Sequence, residues 1–425
     1  MRTKLYSLLL VAIVAAMAFG PVLQTVSAQG DTVKLTMTIW GSTNDVDVYN
    51  ARLALAKEAY PNVEVELIYI PSDYDQKVLT MIAGGTPPDI MQVAEGVHAF
   101  SDRGQIIALN DYIADYGIDM AARYGSLAGL YARHDNIYAM PDRGGAMIVY
   151  YNKAMFDAAG VAYPTAEWDW ADMLDAAQKL TIREGDEVKQ WGFAAGGWWP
   201  WWMSFIYQNG GRILDADGQP VVNSPEVAEA LQFYVDLMYQ YHVAPTPEDY
   251  ANAGLSFGQP DPLFSQGKVA FELTGFWLIG SLKDIPELSW DIAPVWQHKE
   301  RATAAFGSGL AITKDCKNPD EAFAVVEFLT GAEGQRPIME MGQDAPTHLD
   351  LLNSEEWLSG QYIGVEINMG TFAESAPAIF VPPLEPEWNE ILQIFDDHLG
   401  EVWLNNRSVG DALDQIQSDL EFLLG

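Results

Sequence analysis

The stretch "FAAGGWWPWWMSF", residues 193–205, sets Trp198, Trp199, Trp201 and Trp202 within five positions, beside Gly196, Gly197 and Pro200. Tryptophan offers the largest aromatic face together with one N–H donor. Such faces suit sugar recognition, because a pyranose presents a face of C–H groups that packs flat on a π system while its hydroxyls point sideways. The glycine and proline neighbours predict a loop, with at least two of the four rings turned toward a ligand. The competing reading of the same residues is a hydrophobic plug between a lobe and a helix. Asp142-Arg143 is a second chemically capable pair, since a guanidinium forks onto a carboxylate or onto sugar hydroxyls. Its alternative is a hinge ion pair without ligand contact. Asp45 and Glu95 read either as binders or as solvated loop acids, and Glu272 as structural.

Other chemistries lack their residues. The six histidines are scattered without an H-E-x-x-H or paired spacing. Asp215–Gln219 ("DADGQ") resembles the front of a calcium loop but lacks the later acid at its spacing, so it reads as a turn. Cys316 is the single cysteine, which excludes an internal disulfide. Neither a G-x-S-x-G elbow nor a Walker loop occurs. No catalytic residue, cofactor or metal is expected. Lys and Arg number 23 against 59 Asp and Glu, a net charge of −36. So acidic a surface repels phosphate backbones and excludes nucleic acid as a partner.

The elements that must position these residues begin after an export signal. Arg2 and Lys4, an apolar run from Leu8 to Phe19 and the small-residue site Val26-Ser27-Ala28 predict a signal peptide over residues 1–28. The run is too short for a bilayer, which takes about twenty residues. With no cysteine at the cleavage site, a lipid anchor is not expected; the protein is placed in the periplasm or at the cell exterior. Past the signal, "TVKLTMTIWG", "VEVELIYI" and "PDIMQV" alternate as strands, separated by the helical "DVYNARLALAKEAYP" and "YDQKVLTMIAGG". That order signals a parallel sheet with crossover helices. The pattern restarts at "AMIVYYN". Thr165 is read as the cap of a helix through "DMLDAAQKL", and further helices start at Ser224-Pro225 and Asn318-Pro319. A final helix pair runs from about Glu387 to Leu424. "KVAFELTG" and "FGSGLAIT" bracket a segment that looks again like the first unit. A chain of this length exceeds one core. The expected division is 29–142 with 275–309 in lobe one, and 143–274 with 310–425 in lobe two. Three crossings make a hinge, and the slot between the lobes is a natural ligand site.

Taken in order, "GGTPPDIMQV", "RGQIIALNDYI", "YAMPDRGGAMIVYYNKAMFDAAGV", "GFAAGGWWPWW", "LFSQGKVAFELTGFWLIGSL" and "AFGSGLAITKDCKNPDEAFAVVEFL" resemble the extracellular solute-binding protein family 1 of ABC importers. The likeness spans essentially the whole chain after the signal. It implies an α/β, periplasmic-binding-protein-like type II receptor whose two lobes, joined by a three-segment hinge, close on a carbohydrate, expected to be an oligosaccharide. The receptor then delivers it as a monomer to the permease subunits. The family's contact positions fall on Trp40, Ser42, Asn44 and Asp45 after the first strand, and on Gln92 and Glu95 after "PDIMQV". They continue with Asp142 and Arg143 at the first crossing, Trp277 after "LTG", Gly307 and Ser308 at the third crossing, and Trp388. Val93 stands where maltose-binding protein carries a tryptophan, which argues against maltose itself. Two alternatives are the same receptor with a polyamine or glycerol-phosphate-type cargo, and a secreted glycoside hydrolase, which would need two facing carboxylates about 5–10 Å apart.

Overall fold

The computed structural model describes residues 32–425 except 186, 259 and 343; the expected signal peptide lies outside the described residues. Alternation builds the first sheet. In β1 (Val33–Ile39), Leu35, Met37 and Ile39 are buried to 1% exposure or less. β2 (Val63–Tyr69) and β3 (Ile90–Val93) flank β1, both parallel to it. The helices Thr43–Ala59 and Tyr74–Ala83 cross between them, as the sequence predicts. A small hairpin of β4 (Ala132–Arg133) and β5 (Asn136–Ile137) precedes β6 (Met140–Ala146).

The second sheet starts after a single residue, with β7 (Ile148–Asn152), then β8 (Ile182–Glu184), β9 (Glu187–Ala194), β10 (Val269–Thr274) and β11 (Trp290–Ala293). Its order is β11-β7-β10-β9-β8, with β9 and β10 parallel. β12 (Thr303–Ile312) returns to the first sheet, antiparallel to both β3 and β6, and β13 (Ile379–Phe380) pairs beside it. The chain thus passes between sheets at Met147, again between Ala293 and Thr303, and once more before the helix Trp388–Trp403. That helix packs on the second sheet's side through Trp199 and Trp202.

Three expectations are corrected. Of the segment 275–309 expected in lobe one, Trp290–Ala293 pairs with β7, register Trp290↔Asn152, and so belongs with the second sheet, while residues 303–309 pair within the first. Conversely, the helices Pro319–Thr330 and Ala332–Glu340, assigned to lobe two, pack on the helix Thr43–Ala59. Strand pairing decides this, because a strand's backbone groups must find partners wherever its neighbour lies. The helix expected from a Thr165 cap starts instead at Trp170. Asp169 is its cap: the carboxylate accepts from the N–H groups of Ala171 and Asp172, and Asp172 closes a capping box.

The third correction concerns the tryptophans. The expected loop is the helix Trp199–Gln208, all ten residues of which are buried. Pro200 sits in the first turn, where an amide N–H has no intrahelical acceptor and proline costs little. Burial on every side stabilises a helix that its composition alone does not announce. The "DADGQ" turn forms as read: the Asp215 carboxylate accepts from the backbone N–H groups of Asp217 and Gln219.

Candidate functional site

Four side chains of interest follow the carboxyl ends of parallel strands: Trp40 after β1, Glu95 after β3, Trp198 after β9 and Trp277 after β10. In open α/β sheets that edge is where ligands bind, because loops there are free of the ladder and several converge. Trp40, Trp198 and Trp277 are each half-buried. Trp40 leans edge-on against Tyr74 at 5.0 Å. Trp198 and Trp277 lie 5.8 Å apart between ring centroids, and both meet Phe306, at 5.8 and 5.3 Å. Phe306 belongs to β12 of the first sheet, so this aromatic group joins elements of both sheets.

Polar groups surround it. Trp277 Nε1 donates to Asp261 Oδ2 at 2.6 Å and Thr274 Oγ1 to Asp261 Oδ1 at 2.8 Å. Burial nevertheless pushes the Asp261 carboxyl up, against those two bonds. Glu95 Oε1 accepts from the Gly307 N–H at 2.9 Å, and burial raises its carboxyl too. Gly307 itself has φ +157°, and a Cβ there would meet the Arg143 carbonyl at 2.3 Å. Only glycine lets the two strands approach this closely.

Several expected contacts are spent within the protein. Arg143 is held by Asp45 on one side and by Asp344, at 3.0 Å, on the other. Desolvation works against the charge, but those carboxylates raise the guanidinium's affinity for its proton. Burial pushes Asp45 up, yet Arg143 and the bonds from Ser42 outweigh it and hold the carboxyl below the usual range. In Asp344 the balance reverses, and desolvation leaves it raised beside the same arginine. Ser42 caps the helix Thr43–Ala59 through a capping box with Asp45, while Asn44 is exposed. Gln92 uses both ends: Trp40 N–H donates to its Oε1 at 3.0 Å, and its Nε2 donates to Ser308 Oγ at 2.8 Å. Asp142 is fully buried, paired with Arg52 at 2.5 Å and accepting from the Tyr49 hydroxyl.

Three of the four clustered tryptophans lie in the core. Trp199, Trp201 and Trp202 are 3%, 3% and 1% exposed. Trp199 meets Trp388, which is itself buried, Trp202 meets Phe395, and Trp201 Nε1 donates to the Leu273 carbonyl. A helix turns successive side chains by 100°, so one buried helix cannot offer all its rings to one slot. Only Trp198, at the helix entry, keeps an open face. Asp261, Phe306, Tyr74 and Asp344 were not anticipated. Asp261 carried a faint signal, an acid fixed between Pro260 and Pro262; the other three carried none.

Among the described residues no group of side chains has metal-ligand spacing, and no helix is long and apolar enough to cross a membrane. Known proteins share this architecture. An ABC substrate-binding protein from Listeria monocytogenes, solved in complex with cycloalternan, superposes with a TM-score of 0.82 at 26% identity, covering 93% of this chain and 100% of that one. A cyclic alpha-maltosyl-1,6-maltose binding protein from Arthrobacter globiformis superposes with a TM-score of 0.77 at 21% identity, over 93% of this chain and 99% of that one. An arabinooligosaccharide-binding protein of Halalkalibacterium halodurans is 25% identical over 292 residues, covering 65% of this chain and 63% of its own. The family model for bacterial extracellular solute-binding proteins matches residues 42–336. The architecture is the two-lobed α/β type II fold, and the chain belongs to the bacterial extracellular solute-binding proteins.

Proposed function

We propose that this protein captures a carbohydrate, an oligosaccharide in preference to a single sugar, between its two lobes and hands it to the permease of an ABC importer. The family binds and carries solutes outside the cytoplasm and performs no catalysis, which sets aside the glycoside hydrolase. The observation that carries the cargo assignment is the group of half-open indoles at the carboxyl edges of both sheets, Trp40 on one and Trp198 with Trp277 on the other. Flat apolar faces interleaved with Glu95 and Asp261 suit a neutral polyol. The ligands of two relatives, arabinooligosaccharide and cycloalternan, are of that class.

Charge separates the remaining cargoes. Arg143, the cation expected to meet a ligand, is already flanked by Asp45 and Asp344. A phosphate ester would find that guanidinium already neutralised by two carboxylates. A polyamine would want ionised acids, whereas burial drives Glu95 and Asp261 toward their neutral forms. A neutral sugar makes no such demand.

Sheet membership supports lobe one as β1 to β6 with β12 and the helices of 319–340, and lobe two as β7 to β11 with the helices of 388–424. We place the ligand-contacting set at Trp40, Glu95, Trp198, Asp261, Trp277 and Phe306. Export by a signal over residues 1–28 and action as a monomer complete the reading. Closure favours the state to which the ligand binds more tightly, by the difference of the two affinities. Thermal unfolding against mono- and oligosaccharides tests the cargo. Ligand at about a hundred times its dissociation constant adds about 2.7 kcal/mol to the folded state. A midpoint that moves with spermidine or glycerol phosphate, and with no sugar, overturns it.

A further inference from the structure

A partly open pocket lies at the first crossing, with no indole in its own lining. It measures about 120 Å³ and is predominantly apolar, and Trp40, Glu95, Trp198 and Trp277 do not line it. Tyr124 and Leu127, from short helical segments packed beside β6, form one side, and Ile148 of β7 with Phe276 forms the other. Gly144, Gly145 and Ala146 of β6 make its floor. Phe276 packs so tightly on Gly145 that a Cβ there would lie 1.6 Å from the ring. The third wall comes from Leu349, Leu352 and Ser375. Ser375 is 1% exposed, and its hydroxyl has no hydrogen-bond partner among the described residues.

We propose that this is a second binding site, for a small apolar molecule of about one ring carrying a single hydrogen-bonding group, as in phenols and short alcohols. The size fits: an apolar cavity of about 150 Å³ is known to take benzene. Its chemistry fits as well. A water molecule asks for two to four polar partners, whereas the lining has one buried hydroxyl left without a partner, that of Ser375: Thr347 Oγ1 already accepts from Gln335, and Ser126 is exposed. An occupant with one polar atom satisfies Ser375 and leaves its remaining surface to the apolar walls.

Position gives the site a consequence, and this part rests on the two-lobe receptor reading. The walls come from both sides of Met147, where β6 of one sheet becomes β7 of the other. A lobe movement that pivots there moves Ile148 and Phe276 relative to Tyr124 and Leu127, changing the shape of the space. An occupant therefore binds the two states unequally, and by linkage sugar and occupant alter each other's affinity by the same factor.

The test titrates the full-length protein with 4-fluorophenol and with fluorobenzene, followed by fluorine NMR. Saturable binding of both is expected. Ala376→Leu, which fills the space from a half-exposed position, should weaken both at least tenfold. Ser375→Ala should weaken 4-fluorophenol threefold or more and leave fluorobenzene unchanged. Absence of saturable binding to the unaltered protein overturns the site, as does equal binding by a folded Ala376→Leu protein. Should that variant fail to fold, an equal loss of both probes, or of neither, in Ser375→Ala overturns it. The oligosaccharide thermal shift is run on the same samples. A sugar shift without probe binding sinks this site alone, while probe binding without any sugar shift sinks the cargo assignment alone.

Discussion

Asp142 offers the sharpest contrast between a residue that touches ligand and one that supports the site. Its side chain and that of Arg52 are both 0% exposed, and their charges meet at 2.5 Å. Arg52 also donates to the carbonyls of Gly334 and Leu329, so this pair ties the helix Thr43–Ala59 to the junction of the two helices that cover it. Asp142→Asn keeps the shape and the acceptor for Tyr49 but leaves the Arg52 charge buried without its counter-ion. Breaking one partner of a buried pair costs about 3–5 kcal/mol. At roughly 2.1 cal/mol/K per residue, a folded body of about 390 residues unfolds with an entropy near 0.8 kcal/mol/K. The expected fall in midpoint is therefore about 4–6 °C, read by differential scanning calorimetry. Because Asp142 is sealed from the cleft, sugar affinity measured well below the midpoint should stay within about twofold. An unmoved midpoint would refute the energetic argument. A folded variant that loses sugar binding tenfold would put Asp142 back among the contacts.

Trp277→Ala removes a half-open face and the donor to Asp261, and sugar affinity by calorimetric titration should fall at least tenfold, with roughly 1.5–3 kcal/mol attached to a buried large apolar side chain. Trp277→Phe, which keeps a face but no N–H, should fall between the two; equal affinity in all three proteins removes Trp277 from the site. Glu272 is fully buried with both carboxylate oxygens unpartnered among the described residues, and desolvation raises its carboxyl well above the ordinary range, with Asp261 adding to the effect. A carboxyl raised in the folded state favours folding below its unfolded value, and that advantage is lost as pH rises toward the folded value. Glu272→Met should thus raise the midpoint more at pH 8 than at pH 5, and a gain equal at both values contradicts the assignment. Asp169→Ala removes the cap of the helix Trp170–Leu180 and should cost about 1 kcal/mol in denaturant unfolding, while Thr165→Ala should cost less than half as much; the reverse order restores the Thr165 cap.

Much of the fold was written in local pattern. Alternation in "VKLTMTI" and "VEVELIY", and prolines at the first position of the helices beginning at 225 and 319, are properties of neighbouring residues, so they survive translation into structure unchanged. Sheet membership was not written there. Whether Trp290–Ala293 lies with one sheet or the other depends on which distant strand has an open edge, and nothing within those four residues encodes it.

The site divides along the same line. The family resemblance pointed to Trp40, Glu95 and Trp277, and each of them follows the carboxyl end of a parallel strand, where the ligand edge of such a sheet lies. The tryptophan block misled, since glycine and proline announce a loop while burial from every side builds a helix and takes three of its four rings inside. For Arg143 the choice between ligand contact and an ion pair stayed open for a related reason: its neighbours along the chain do not reveal that Asp45 and Asp344, 98 positions before it and 201 positions after it, neutralise it. Sequence by itself determined the strands, most helix starts, the acidic balance and the aromatic stock from which a sugar platform is made. Tertiary structure alone decided which indoles stay open and which charges are already paired, because exposure and pairing are relations between residues that only folding brings within reach.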